Sequence, residues 1–415
     1  MRIRLRDHAA AIALASAASL VIASLALTDW AWNDYDAEAR PAFDALLQGH
    51  FSAFLHLAPA YGGSLLIRAP FVLLTKIWGG GELSTFRAAA APCLAASAIL
   101  AVWLAAQIRA RNRARSAGLL ALLLCVANPI TVSALRYGHP EELLGGVLCV
   151  AAVLAATRGR PMWAGVLLGL AIANKEWAVL AVGPVLIGLP DRRPRALLTA
   201  TVVAGAALAP FLLLSSSGFV AQAKGAATQT GHLFNPWQVW WFLGSHAHPV
   251  IDLSGHVRVG YRSPPGWIET NAHLLIVALM VPLTLACVWL TRRRRRRPAH
   301  EALLLLTLVL LLRFILDPWD ISYYALPFLL ALLTWETIAH DRLPVLSLVA
   351  TFAAWFALEE TSSATLTLAP DVQALIFLAL AAPTAAAIGA ALYLPGFSER
   401  IAVRVRRSGA LPSPA

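Results

Sequence analysis

AHLLIVALMVPLTLACVWLTRRRRRRPAHEALLLLTLVLLLRFIL, residues 272–316, sets two apolar runs on either side of six consecutive arginines, Arg292 to Arg297. The first run, 272–291, carries no Asp, Glu, Lys or Arg. A helix needs about 20 residues to cross the hydrocarbon core of a bilayer, and this run has that length. The second run, 301–316, has charge only at Glu301 and Arg313. Two membrane helices joined by a short basic loop give this pattern, and such loops face the cytoplasm.

The same alternation runs through the chain. Hydrophobic residues make up 59% of the 415 positions and charged residues 13%, against about 25% charged in soluble domains. One integral membrane domain, 1–415, accounts for this. The net charge of +11 is spread as short clusters between apolar spans, which suits anionic lipid and not nucleic acid. The clusters are Arg109–Arg115, Arg158 with Arg160, Arg192–Arg195, Arg292–Arg297, Arg342 and Arg400–Arg407. If all face the cytoplasm, an even number of spans separates neighbours. About twelve spans satisfy this (range 10–13): 9–27, 86–107, 117–134, 141–157, 162–174, 176–190, 196–215, 272–291, 301–316, 322–337, 344–358 and 372–394. Both termini then lie inside, in the multi-pass inner membrane of a bacterial cell. The pair 162–174 and 176–190 is short enough to be one hairpin dipping into the membrane. Residues 61–78 hold Arg68, Pro70 and Lys76 and read as an interfacial helix on the outer face. Cys93, Cys125, Cys149 and Cys287 sit inside apolar runs and read as small packing residues.

This topology places two long loops outside, 28–85 and 216–271, and gathers most carboxylates there. Enrichment of Asp and Glu is not required by the positive-inside rule, so it points to an extracytoplasmic polar site. Arg313, four residues before Asp317, is the notable charge within a span, and the two could pair if the helix continues.

Four stretches carry a resemblance. They are Asp34-Tyr35-Asp36 with Leu46-Leu47-Gln48-Gly49, Gly81-Glu82-Leu83-Ser84-Thr85-Phe86-Arg87, Arg136-Tyr137-Gly138-His139, and Gly165-Val166-Leu167-Leu168-Gly169-Leu170-Ala171 through Lys175. Together they resemble the polyprenyl-phosphate-sugar-dependent glycosyltransferases of the GT-C superfamily, nearest the mannosyltransferase branch. The resemblance covers the first half of the chain; the second half matches in topology. It implies an all-α GT-C-type bundle with interfacial helices in the first outer loop. It also implies an inverting transfer of a hexose, mannose favoured, from a lipid-linked sugar phosphate to a glycan or glycolipid acceptor.

In that chemistry an acceptor hydroxyl attacks the anomeric carbon, lipid phosphate departs, and a carboxylate takes the proton. Asp36, thirteen positions before Gly49, has the spacing expected of the family's aspartate; Asp34 competes, and either could simply solvate the loop. Lys175, His139, Arg136 and Arg87 are candidates for the donor phosphate. Against these stand a snorkelling or ion-paired Lys175, a His139 that caps the helix begun by Pro140, and an Arg87 or Arg68 that anchors its helix at the interface. Glu141, Glu142, Trp237, Asp317, Asp320 and Tyr324 are candidate substrate contacts. Trp237 and its neighbours fit an interfacial aromatic belt as well as sugar stacking. Asp317 and Asp320 could equally cap the helix that follows. His246-Ala247-His248 with Asp252 lacks the spacing of a known zinc motif, so the expectation is no cofactor, with a divalent metal as the lesser alternative. No P-loop or dinucleotide fingerprint is present, and no inside loop is long enough for a nucleotide-sugar domain. A secondary transporter or lipid flippase is the alternative class.

Overall fold

Proline marks where many of the helices begin. Pro129, Pro140, Pro161 and Pro370 occupy first turns, where the missing N–H breaks no intrahelical bond. The computed structural model describes residues 5–26, 33–77, 79–111, 114–214, 235–246, 249–251, 257–294, 298–340, 343–363 and 365–394. Among them the regular structure is helical apart from two short antiparallel β pairs, Ser245–His246 with Arg262–Ser263 and Val250–Ile251 with Val257–Arg258.

Helix α1 spans Leu5–Ala26, followed by the short helices α2 (Asp34–Glu38), α3 (Arg40–Leu47), α4 (Phe51–Leu57) and α5 (Gly62–Leu74). Next come α6 (Glu82–Ala110), α7 (Arg115–Val126), α8 (Pro129–Arg136), α9 (Pro140–Thr157) and α10 (Pro161–Asn174). A 3-10 turn, Glu176–Ala181, leads into α11 (Val182–Gly188), and α12 is Arg193–Leu214. The second half has α13 (Gly266–Arg294), α14 (Pro298–Leu316), a 3-10 turn at Ser322–Ala325, α15 (Leu326–Ala339), α16 (Val345–Leu358) and α17 (Pro370–Tyr393).

Among the described residues, eight helical segments are long and apolar enough to cross a membrane: 82–110, 115–136, 140–157, 193–214, 266–290, 299–316, 345–362 and 370–393. Each of the twelve predicted spans is helical over most of its length, so the chain is an all-α polytopic membrane protein. The remaining four are shorter in their apolar stretch. Of these, α10, α11 and α15 are shielded by neighbours, as short spans must be: Leu326–Leu333 of α15 is buried throughout. The segment 115–136 is not one smooth rod. Asn128 caps the second part by accepting from the Ile130 N–H, with Pro129 in its first turn.

Helix α9 is the hub. It packs against α6, α8, α10, α11, α14 and α15, and fifteen of its eighteen residues are buried. The helices α12, α13 and α17 are mostly exposed apolar surface, the expected face toward lipid. Residues 161–188 form a hairpin of α10 and α11, in which Gly188 returns to lie against Ala156 at the far end of α9.

Residues 61–77, read from the sequence as an interfacial helix, are helical over most of their length and packed on one side. Helix α5 packs against α6, α10 and α12, burying Ser64, Leu65, Arg68, Ala69 and Val72. Close approach makes this possible: a Cβ on Gly63 would stand 2.2 Å from the Ala173 carbonyl oxygen, so a side chain there would hold α5 away from α10.

Candidate active site

The N-terminal turn of α9 is where the loops of one bundle end converge. Glu141 and Glu142 open this helix, where the backbone dipole favours negative charge. Both carboxylates are buried, and a buried charge is tolerated only with partners. Each has several. Glu141 Oε2 lies 3.3 Å from Arg68 Nη1, and Glu141 Oε1 lies 3.4 Å from Lys175 Nζ and 2.7 Å from His139 Nδ1. Glu142 Oε1 accepts from Trp177 Nε1 at 3.1 Å and is 3.8 Å from Lys175 Nζ; its Oε2 accepts from Arg313 Nη1 at 3.4 Å.

Lys175 reaches both glutamates because α10 stops at Asn174. Lys175 itself is extended, and Asn174 donates to the Glu141 carbonyl at 2.9 Å, locking the corner in place. The Lys175 ammonium also sits 3.9 Å above the Tyr61 ring, and the Tyr61 hydroxyl donates to Glu38 Oε2 at 2.6 Å. Arg313 lies over the rings of Trp177 and Tyr324, at 4.7 and 4.3 Å.

His139 links this interior to the first loop. Its Nε2 is 3.3 Å from Asp34 Oδ2, and its ring is 4.7 Å from that of Tyr323. The contact depends on Gly138, whose φ is +90°; a Cβ there would meet Tyr35 N at 2.5 Å and Asn33 Oδ1 at 2.8 Å. Glycine alone lets the turn before α9 press against the start of α2. Burial would lower the imidazolium pKa, but the charge of Glu141 and hydrogen bonds to Asp34 and Glu141 raise it to about 9 against the opposing Lys175. His139 therefore carries charge at neutral pH. With it, four carboxylates (Asp34, Glu38, Glu141, Glu142) face four cations (His139, Lys175, Arg68, Arg313).

The two aspartates of the first loop part company. An extended segment would put them on one face, but Asn33 caps a helix here, and positions two apart on a helix diverge. Asp36 completes the capping box by accepting from the Asn33 N–H at 3.1 Å and binds Arg40 Nη1 at 3.0 Å. Arg40 also bonds Glu82, which ties the loop to α6. The Asp36 side chain is 1% exposed, whereas that of Asp34 is 37% exposed and faces His139.

The other candidates separate into those the fold brings here and those it does not. Tyr324 belongs to the site through Arg313. Arg136 is exposed at the end of α8, one residue before Tyr137, whose ring is 5.9 Å from Tyr323. Arg87 is exposed on α6, outside the network of Glu141 and Glu142. Helix α14 ends at Leu316, and the expected Arg313–Asp317 pair gives way to Arg313–Glu142, while Asp317 sits 3.4 Å from His273 and accepts from the Trp319 N–H. Asp320 does not cap the turn that follows: Ile321 holds the cap position, and the Asp320 carboxyl has no hydrogen-bond partner among the described residues. His139 stands at the N-cap of α9 without capping it through its side chain. Trp237 and Trp241 are buried, not exposed in a belt. Trp240 donates to the Leu316 carbonyl at 2.7 Å and Trp241 to Asp371 at 2.7 Å, so this loop is fastened onto α14 and α17. His248 and Asp252 lie outside the described residues.

Tyr61 and Trp177 join the site without warning from the sequence, and Arg68, a further candidate from the sequence, joins it as well. The signal for Arg68 was an arginine within an apolar helix, which in a membrane protein points to a partner or a function.

Fold and site together define a multi-pass membrane protein with a charged centre buried at one end of its bundle. The family model of glycosyltransferase family 87 matches residues 63–318. The chain belongs to that family and is a GT-C-type glycosyltransferase, so it acts on a sugar donor and an acceptor. Curated proteins and solved structures yield no match. The matched residues include Arg68, His139, Glu141, Glu142, Lys175 and Arg313; Asp34 and Asp36 precede them.

Proposed function

We propose that this chain is an inverting glycosyltransferase with Asp34 as its general base. It would move a hexose, mannose first, from a polyprenyl phosphate to an extracytoplasmic glycan or glycolipid acceptor. The observation that carries this reading is the partly exposed Asp34 carboxylate, held 3.3 Å from His139 at the mouth of the buried network. The acceptor hydroxyl attacks the anomeric carbon and its proton goes to Asp34. The bond from that carbon to phosphate breaks, and the polyprenyl phosphate leaves. His139, anchored on Glu141, fixes the position of the carboxylate. Asp36 has its capacity taken up by Arg40 and the helix cap, which supports Asp34 over it.

The donor phosphate needs positive charge. Lys175, Arg68 and Arg313 are already paired with Glu141 and Glu142, so Arg136, exposed beside Tyr137, is the best-supported phosphate contact. The Lys175 tip, with 11% of its side chain exposed, completes it. A lipid-borne donor is supported by the connections at the opposite bundle end, which are too short for a nucleotide-sugar domain: α9–α10 and α11–α12 are joined by a few residues each. The arginines at that end support its facing the cytoplasm, which leaves the site outside.

The test is transfer from radiolabelled polyprenyl-phosphate mannose by purified protein in nanodiscs, supplied with membrane glycolipid. Asp34→Asn should lose activity and Asp36→Asn should keep most of it. Full activity of Asp34→Asn would remove the base assignment, and absence of transfer from any polyprenyl-phosphate hexose would remove the donor.

A further inference from the structure

Next to the charged network lies a second group of polar atoms that the proposed transfer does not use. Asp320 is fully buried and, among the described residues, both its carboxyl oxygens lack a partner; Ser322, buried two residues on, has a hydroxyl without a partner among them. Ile321 between them is extended, with φ −119° and ψ 152°, so residues 320 and 322 share a face. The segment beginning at Asn235 is pinned over this point: Asn235 Nδ2 donates to the Asp320 carbonyl at 2.8 Å. Two residues further on, the buried Trp237 Nε1 also has no partner. Buried polar groups left unpaired are costly and rare, and here three fall within one short stretch of structure. The Ser322–Ala325 turn carries Tyr323 against His139 and Tyr324 against Arg313, so these atoms border the site where sugar would react.

The chemistry of the set selects its ligand. Arg313 is close enough for its charge to act on Asp320, which disfavours a cation. The carboxyl itself disfavours a phosphate. Among the described residues no group of three His, Cys, Asp or Glu is arranged to hold a metal. Burial, with the charge of Asp317, pushes the Asp320 carboxyl well above the usual carboxylate range, and a neutral carboxyl both donates and accepts. A neutral polyol remains, since ring hydroxyls also donate and accept.

We infer that Asp320 and Ser322 form a sugar subsite that binds adjacent ring hydroxyls of a hexose and sets which sugar the enzyme accepts. This rests on the transferase reading above, and either the donor hexose or the acceptor sugar could fill the subsite. Steady-state kinetics in nanodiscs separates the two. Asp320→Leu and, independently, Ser322→Ala should raise KM at least ten-fold for one sugar substrate, and the substrate affected identifies the occupant. Asp320→Asn, whose amide still donates and accepts, should stay within a few-fold of wild type. Inhibition by sugar-free polyprenyl phosphate should not change. Unaltered KM for both substrates in Ser322→Ala and Asp320→Leu would overturn the proposal, as would a parallel loss of polyprenyl phosphate inhibition. If wild type transfers from no polyprenyl-phosphate hexose, the donor reading fails and the subsite is judged by saturation-transfer NMR with methyl mannoside, glucoside and galactoside. Signal from one of them that is lost in Asp320→Leu and Ser322→Ala supports it; no signal from any of them overturns it.

Discussion

Arginine has opposite occupations at the two ends of this bundle. At the end near Glu141, Arg68 and Arg313 are buried and bound to carboxylates. At the other end Arg111 is exposed and donates to the carbonyls of Thr337 and Ile338, Arg193 donates to the Leu189 carbonyl, and Arg158 lies 4.7 Å from the Trp103 ring. There the cations finish helix ends and face water or headgroups, and each can be lost alone. Near Glu141 no buried member can be lost alone, because each such removal strands a partner in a low-dielectric interior; Asp34, 37% exposed, is the exception. At the arginine end the buried carboxylate of Glu336 is satisfied differently: it accepts from the Leu346 and Ser347 N–H groups and the Ser347 hydroxyl and so caps α16.

The largest expected effects test this contrast directly. Arg68→Met and Arg313→Met should each destabilise by about 3–5 kcal/mol, the cost of breaking a buried pair from one side. Arg111→Ala should cost at most about 1 kcal/mol, as an exposed contact does. Thermal unfolding in detergent compares the three, and equal shifts would abolish the distinction between the ends. Asp34→Asn should lower kcat by on the order of a hundred-fold, the lower range for general base catalysis, with little change in melting temperature. Asp36→Asn should reverse that pattern, weakening the cap and the Arg40 pair by about 1 kcal/mol while sparing most of kcat.

The next prediction is a titration. The folded value for His139, about 9, lies above its ordinary 6.5. The stability it supplies is therefore complete below about pH 6.5 and is lost as pH rises to about 9. Activity and melting temperature should both fall on that alkaline limb, and His139→Gln should flatten it. The arginines of the opposite end stay charged throughout, so Arg111→Ala should leave the profile unmoved. The smallest effect is expected at Glu336→Gln: roughly 1 kcal/mol of stability from the weakened cap, with kcat unchanged. A large loss of activity there would mean that the two ends are coupled.

The architecture was legible because the bilayer imposes it. Apolar runs of spanning length, alternating with arginine clusters, predict the twelve helical segments, and each is helical over most of its length. Part of the site was legible too. Lys175, His139, Glu141 and Glu142 are polar residues at apolar span ends, and the fold brings them into one network. The choice between Asp34 and Asp36 was not legible. It turns on Asn33 starting a helix and on Gly138 admitting a contact from a segment a hundred residues away. The partner of Arg313 was misread for a related reason. Spacing along one helix suggested Asp317, but the carboxylate that reaches it, Glu142, comes from α9.

The sequence by itself determined that this is a polytopic membrane protein, which residues can cross the bilayer and which carry charge. Hydropathy and charge are properties of short segments, and the solvent reads them locally. Only the tertiary structure decided which charges meet. Pairing across α2, α5, α9, α10 and α14 depends on close helix approach at Gly63 and Gly138, on the break at Lys175 and on the ending of α14 at Leu316. Those contacts pair Lys175, Arg68 and Arg313 with glutamates, leave Asp34 at the mouth of the network, and leave Asp320 and Ser322 without side-chain hydrogen-bond partners among the described residues.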